Sequence, residues 1–127
     1  MNVAVAVIAV RGGEVLLVKS AKRPGSYEIP GGALLPGESR VHAAVRELRE
    51  ETGLQVNSWD LVPFHQKQAH GWHVHIFQAL RWHGEPVAGD DAESVFWGAP
   101  DLILTGARPE DYPTVCRAIH QHKAAFG

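Results

Sequence analysis

The chain has 127 residues, 45% hydrophobic and 20% charged, with 12 Lys and Arg against 14 Asp and Glu for a net charge of −2. This is the composition of one globular domain, 1–127, able to bury about two-thirds of its unfolded surface; it excludes intrinsic disorder and the basic excess of a phosphate-backbone binder. No apolar run approaches the ~20 residues of a membrane helix, Met1–Val10 lacks the basic start of a signal peptide, and the single Cys116 rules out an internal disulfide or a cysteine zinc site, so a cytoplasmic protein with no nucleic-acid or membrane partner is expected.

Val3 to Val10 is an uncharged Val/Ile/Ala run, Arg11–Gly12–Gly13–Glu14 supplies a turn, and Val15 to Val18 is apolar again, which predicts a β-hairpin. A polar loop over 21–26 carries Lys22 and Arg23; with Lys19 these can draw phosphates or simply be solvated. Tyr27–Glu28–Ile29 reads as a short extended piece that Pro30–Gly31–Gly32 interrupts, and Tyr27 can face a ligand or pack. From Ser39 to Thr52 there is no Gly or Pro, and Val41, Ala44, Val45 and Leu48 recur at helical spacing. Ser39 suits the N-cap and Gly53 the C-cap.

Beyond the helix, 55–67 and 73–82 are β-rich stretches around the turn His70–Gly71–Trp72, 83–91 is a polar loop, and Val95–Phe96–Trp97 reads as another strand. Pro113 suits the first turn of a last helix with Val115, Ala118, Ile119 and Phe126 on one side and Cys116 as a packed thiol. Strands, helix, strands, helix predicts an α+β or α/β fold, a mixed sheet with helices packed on it.

Helix geometry sorts the segment 32–54. At about 100° per residue, Glu47, Glu50 and Glu51 share one arc, away from the apolar stripe. Like charges at these spacings repel, and they sit at the helix end whose dipole disfavours anions. Two readings stay open on the glutamates alone: a solvated acidic face, or oxygen ligands for a hard divalent cation such as Mg²⁺. Eight histidines also raise zinc, but His73 and His75 on one strand face, with His65 and His70 nearby, fall short of a full ligand set. Trp59, Phe64, Trp72, Phe77, Trp82, Phe96 and Trp97 supply rings for the core or for stacking on a base.

Gly32, five residues, Glu38, seven residues, then Arg46–Glu47–Leu48, Glu50–Glu51 and Gly53–Leu54 resemble the signature of the Nudix hydrolase family, also called MutT-like, at every defined position. The flanking runs Tyr27–Gly32 and Leu35–Ser39 resemble that family too. The resemblance implies a Nudix-like mixed β-sheet sandwiched between helices, and a Mg²⁺-dependent hydrolase, Mn²⁺ substituting, of a nucleoside diphosphate linked to a further moiety. It implies metal binding by Glu47, Glu50, Glu51 and the Gly31 carbonyl, with Gly32 and Glu38 as further signature residues. Arg46 would orient the glutamates. A general base is expected in a loop after the later strands, where Asp90–Asp91–Ala92–Glu93 stands, Glu93 first, with Asp90 or Asp91 also candidates and a plain charged turn the alternative; Glu47 is the runner-up.

The substrate is expected to be a small-molecule nucleotide, with Tyr27 and Arg23 among its contacts. A nucleoside triphosphate split into monophosphate and pyrophosphate comes first, ADP-ribose or a nucleotide sugar second. A non-catalytic Nudix-fold nucleotide-binding module is the alternative of another class, and either a monomer or a homodimer is compatible.

Overall fold

The computed structural model describes residues 2–89 and 92–126, and of Phe126 the backbone only. Strand β1 (Asn2–Ile8) carries no charge and from Val5 onward is buried on both faces, as befits a central strand. It pairs antiparallel with β5 (Gly31–Ala33) and parallel with β7 (Trp72–Ala79), and β6 (Leu61–Ala69) completes the order β5-β1-β7-β6. In the second sheet β3 (Glu14–Ser20) is the hub: β8 (Ala92–Gly98) runs along one edge, and β2 (Val10–Arg11) and β4 (Tyr27–Glu28) meet the other.

The expected first hairpin therefore exists only at its tip. Val10–Arg11 pairs with Glu14–Val15 around Gly12, whose φ is 65°, whereas residues 2–8 depart into the other sheet. An apolar run without polar alternation is buried on both faces wherever it finds partners, and here they are β5 and β7. The β6–β7 turn is tight, with positive φ at both His70 (55°) and Gly71 (80°). Residues 55–60 do not extend β6; Ser58–Asp60 form a 3₁₀ turn, and Gln55 makes one isolated bridge to His83.

Helix α1 (Arg40–Thr52) starts at Ser39, whose hydroxyl accepts from the His42 N–H, and stops at Gly53, whose φ is 77°. Its buried residues are Ala43, Ala44, Leu48 and Thr52, with Val41 and Val45 at the margin, so the apolar stripe extends one residue beyond the expected four. Leu48, Val5, Val7 and Phe77 form one core cluster. Ala6, Ile8, Val15, Leu17 and Ile76 form a second, covered by α2 (Asp111–Phe126) through Val115, Ala118 and Ile119. The two helices thus lie on opposite sides of the strands, a mixed α+β arrangement as expected, though divided between two sheets rather than one. Cys116 is partly buried on α2, and Phe126's side chain lies outside the described residues. None of the described helices is long and apolar enough to cross a membrane.

Candidate active site

Strand β5 is the rim on which the site is built. Gly31 faces Ala6 and Gly32 faces Val5 across the ladder. A Cβ at Gly31 would stand 2.2 Å from the Val5 carbonyl oxygen, and one at Gly32 would stand 2.5 Å from the Glu47 carboxylate carbon. The glycines leave the rim bare, so Glu47 and Glu51 of α1, which packs on the far face of this sheet, reach a cleft on the near face. The Gly31 N–H donates to Glu51 Oε1 at 3.2 Å.

Arg46 organises the acids. Its Nε and Nη2 donate to both Glu38 oxygens (2.7 and 2.9 Å), its Nη1 to Glu47 (2.9 Å) and Glu50 (3.1 Å), and Nη2 also to the Ala33 carbonyl (3.0 Å). One guanidinium ties the β5–α1 loop to the helix and keeps the carboxylates from repelling one another. Its bonds, with the Leu35 N–H, hold Glu38's carboxyl down to about 2. Arg46's own pKa is raised in return, chiefly by Glu38. Glu47 is nearly buried against Gly32 and lines the cleft, whereas Glu50 is half exposed.

The cleft, about 420 Å³, crosses the first sheet from β5 over Ala4 and Ala6 of β1 to Trp72 and Val74 of β7 and Lys67 of β6. Three strand spacings of ~4.8 Å separate its ends, or about 14 Å. Arg23 and Glu28 line its wall: Nε and Nη2 each donate to a Glu28 oxygen at 2.7 Å, and Ser26 adds its hydroxyl at 2.5 Å. Burial would raise Glu28's carboxyl, but the Arg23 and Ser26 bonds outweigh it and leave it below its usual value. At the β6 end Lys67 Nζ donates to Asp111 (2.6 Å) and Glu110 (2.9 Å), with Arg108 beside them in the cleft lining. Asp111 is so buried that desolvation wins over Lys67 and its carboxyl is raised.

Not every expected site residue faces this cleft. Tyr27 packs edge-on against Phe96, with ring centroids 5.8 Å apart, and does not line it. Glu93 stands in β8 rather than in a loop, half exposed and 3.4 Å from Lys19, because β8 begins at Ala92 and pairs with β3 from there. Asp90 and Asp91 lie outside the described residues. Of the rings, Trp72 reaches the cleft, Trp82 stacks on Trp97, and Trp59 is exposed. His73 and His75 sit ring to ring at 4.4 Å, and no group of three or more metal-binding side chains that could hold an ion is placed among the described residues. Glu47 and Glu50 are turned onto Arg46 instead. The sequence does not mark Glu28, Lys67, Arg108 and Asp111 as site residues; Glu28 stands in the run Tyr27–Gly32 beside the signature, but nothing in the sequence joins Lys67 to Asp111.

The segment after β7 is strapped to the end of α1. Gln55 and His83 exchange backbone bonds (3.0 and 2.8 Å), the Val87 N–H donates to the Thr52 carbonyl (2.7 Å), and the Gly89 N–H donates to the Glu51 carbonyl (3.0 Å). Arg11 reaches over from β2, above the Trp97 ring and 3.8 Å from Glu85.

A sequence model of the family described as NUDIX domain matches residues 1–118. The CTP pyrophosphohydrolase of Escherichia coli K12 is 32% identical over 115 residues, which cover 86% of this chain and 84% of that protein. The 8-oxo-dGTP diphosphatase of the same strain is 28% identical over 118 residues, covering 89% and 88%. A solved MutT structure, from work on the Aliivibrio salmonicida and Vibrio cholerae proteins, superposes with a TM-score of 0.76 at 26% identity, covering 94% of this chain and 98% of that one.

Proposed function

Because the chain belongs to the Nudix hydrolase family, we propose that it splits nucleoside triphosphates into a monophosphate and pyrophosphate. The observation that carries this reading is the cleft itself, with carboxylates at its β5 end, paired cations along its wall and an aromatic and aliphatic bed on β7. Relatives that match nearly the whole chain, a CTP pyrophosphohydrolase and an 8-oxo-dGTP diphosphatase, support the triphosphate class.

The donor set fits a hard divalent cation. Glu47, Glu50 and Glu51 offer only oxygen, and three carboxylates share the single charge of Arg46, with Glu38 taking its shortest bond. Mg²⁺, or Mn²⁺ in its place, would be held by these glutamates and the Gly31 carbonyl. When bound, such an ion polarises phosphate oxygens, offsets charge on the leaving oxygen and acidifies an attacking water. The chain's own residues do the rest. Arg46 fixes the glutamates, Arg23 offers a cationic group to the phosphates, and Trp72 and Val74 bed the nucleoside. For the water's proton Glu47 is better placed than Glu93, since a base must come within hydrogen-bond reach of the reacting water and Glu47 lines the cleft while Glu93 does not.

The test is a panel of CTP, 8-oxo-dGTP, other nucleoside triphosphates, nucleotide sugars and ADP-ribose with Mg²⁺, products separated by anion exchange. Monophosphate and pyrophosphate from a triphosphate at the highest rate is expected. Fastest cleavage of ADP-ribose would move the substrate class, and turnover unchanged in excess EDTA would reject the metal.

A further inference from the structure

We propose that Gly89, acting with the backbone of Val87, is a positioning residue that holds the last turn of α1 in shape for divalent-cation binding. The inference rests on the proposed reading of Glu50 and Glu51 as cation ligands.

Glu50 and Glu51 occupy the final turn of α1, which ends at Thr52. The last four carbonyls of a helix have no partner within it, and this turn frays first in an isolated helix. Two ligands on such a turn would lose their mutual geometry unless something outside the helix fixed it. The Gly53 cap does part of this, its N–H closing on the Arg49 carbonyl at 2.9 Å. The strap does more: Gly89 closes on Glu51 and Val87 on Thr52, so the two carbonyls nearest the helix end receive donors from a segment more than thirty residues away in the chain. These donors also offset the negative end of the helix dipole beside the glutamates.

The fit requires glycine. A Cβ at position 89 would stand 1.9 Å from the Glu50 carbonyl oxygen, 3.0 Å from its carbon and 3.2 Å from the Glu51 Cα. All three are backbone atoms, so relief means lifting the strap off the helix. Val87 is different. Its side chain is exposed and only its N–H is engaged, so a proline there removes the donor and sets its Cδ against the Thr52 carbonyl, parting strap and helix at the other bond, whereas alanine keeps the donor and adds nothing.

Three variants, Gly89→Ala, Val87→Pro and Val87→Ala, are to be compared with the parent and with Glu51→Gln. Mn²⁺ affinity is read by electron paramagnetic resonance of the free ion, well below each melting transition, and amide hydrogen exchange is read over residues 50–53. Gly89→Ala and Val87→Pro are expected to weaken Mn²⁺ about 10-fold, as loss of groups that orient metal ligands does, and to speed exchange at least about 10-fold. Val87→Ala, which keeps the N–H, is expected to match the parent. If Gly89→Ala fails to fold, Val87→Pro against Val87→Ala carries the test. Unchanged Mn²⁺ affinity in the strap variants, even with a lowered melting temperature, overturns the inference provided Glu51→Gln loses the ion. If Glu51→Gln also binds Mn²⁺ like the parent, the metal reading itself has failed.

Discussion

Arg46 and Lys67 stand at opposite ends of the cleft and are about equally buried, yet they do different work. Arg46 spreads a planar fork over Glu38, Glu47, Glu50 and a backbone carbonyl, all within a short stretch of chain. Lys67 is a point charge on Glu110 and Asp111, more than forty residues further along the chain. Around Arg46 carboxylates outnumber the cation three to one. Around Lys67 there are two carboxylates, and Arg108 stands close enough to act on both. One end therefore keeps surplus negative charge that added cations can balance, and the other is closed on itself. A surplus suits metal chemistry; a balanced pair suits holding a shape.

The largest expected effect tests the surplus. Glu47→Gln should lower the single-turnover rate ~10²–10⁴-fold at saturating Mg²⁺, the usual cost of a lost general base, and Glu50→Gln and Glu51→Gln by at least ~10²-fold, with circular dichroism unchanged in all three. Loss of fold in these variants would make the carboxylates structural and erase the contrast with Lys67. Next comes the closed end. Lys67→Met strands the buried Asp111 carboxylate and should cost about 3 kcal/mol in urea unfolding at neutral pH. Because Asp111's pKa is raised, the deficit should shrink as pH falls toward its unfolded value and the group protonates. A variant as stable as the parent would show that the pair is not sealed.

A smaller effect separates the acids by titration. Carbon-detected NMR should find Glu38 near 2 and Asp111 above the ordinary range. With a depressed pKa, Glu38 contributes stability that is complete above about pH 4.5 and fades as pH drops toward 2. Coincident titration of the two would dissolve the distinction. The smallest effect is Glu93→Gln, expected to keep more than about half the parent rate; a loss of ~10²-fold would return the base to β8.

The same contrast explains what the sequence could tell. The α1 boundaries were legible because Ser39 and Gly53 act on the residues beside them, and the glutamate cluster because helix geometry converts spacing into position. Arg46's part was legible for the same reason. Lys67 and Asp111 meet only after the β6–β7 hairpin and α2 have docked, and no local pattern encodes that. The pairing of the first strand is illegible for a related reason: an apolar run specifies burial, but not which neighbours supply it. Asp90–Asp91 reads as a turn and so implies a loop at Glu93, whereas β8 begins beside it at Ala92.

The parallel pairing of β1 with β7 sets a timetable for synthesis. Asn2 meets Trp72 and Ile8 meets Gln78, contacts seventy residues apart in the chain. At ribosomal speeds of ~5–20 residues per second, roughly 4–14 s pass between the making of one partner and the other. Through that interval one edge of β1 lacks its partner, in a segment, Val3 to Val10, of high β-propensity with neither charge nor proline, the kind that seeds aggregates. A strand whose second half is fully shielded in the finished molecule is thus open to misassociation in the nascent chain, and any need for a chaperone falls in that window.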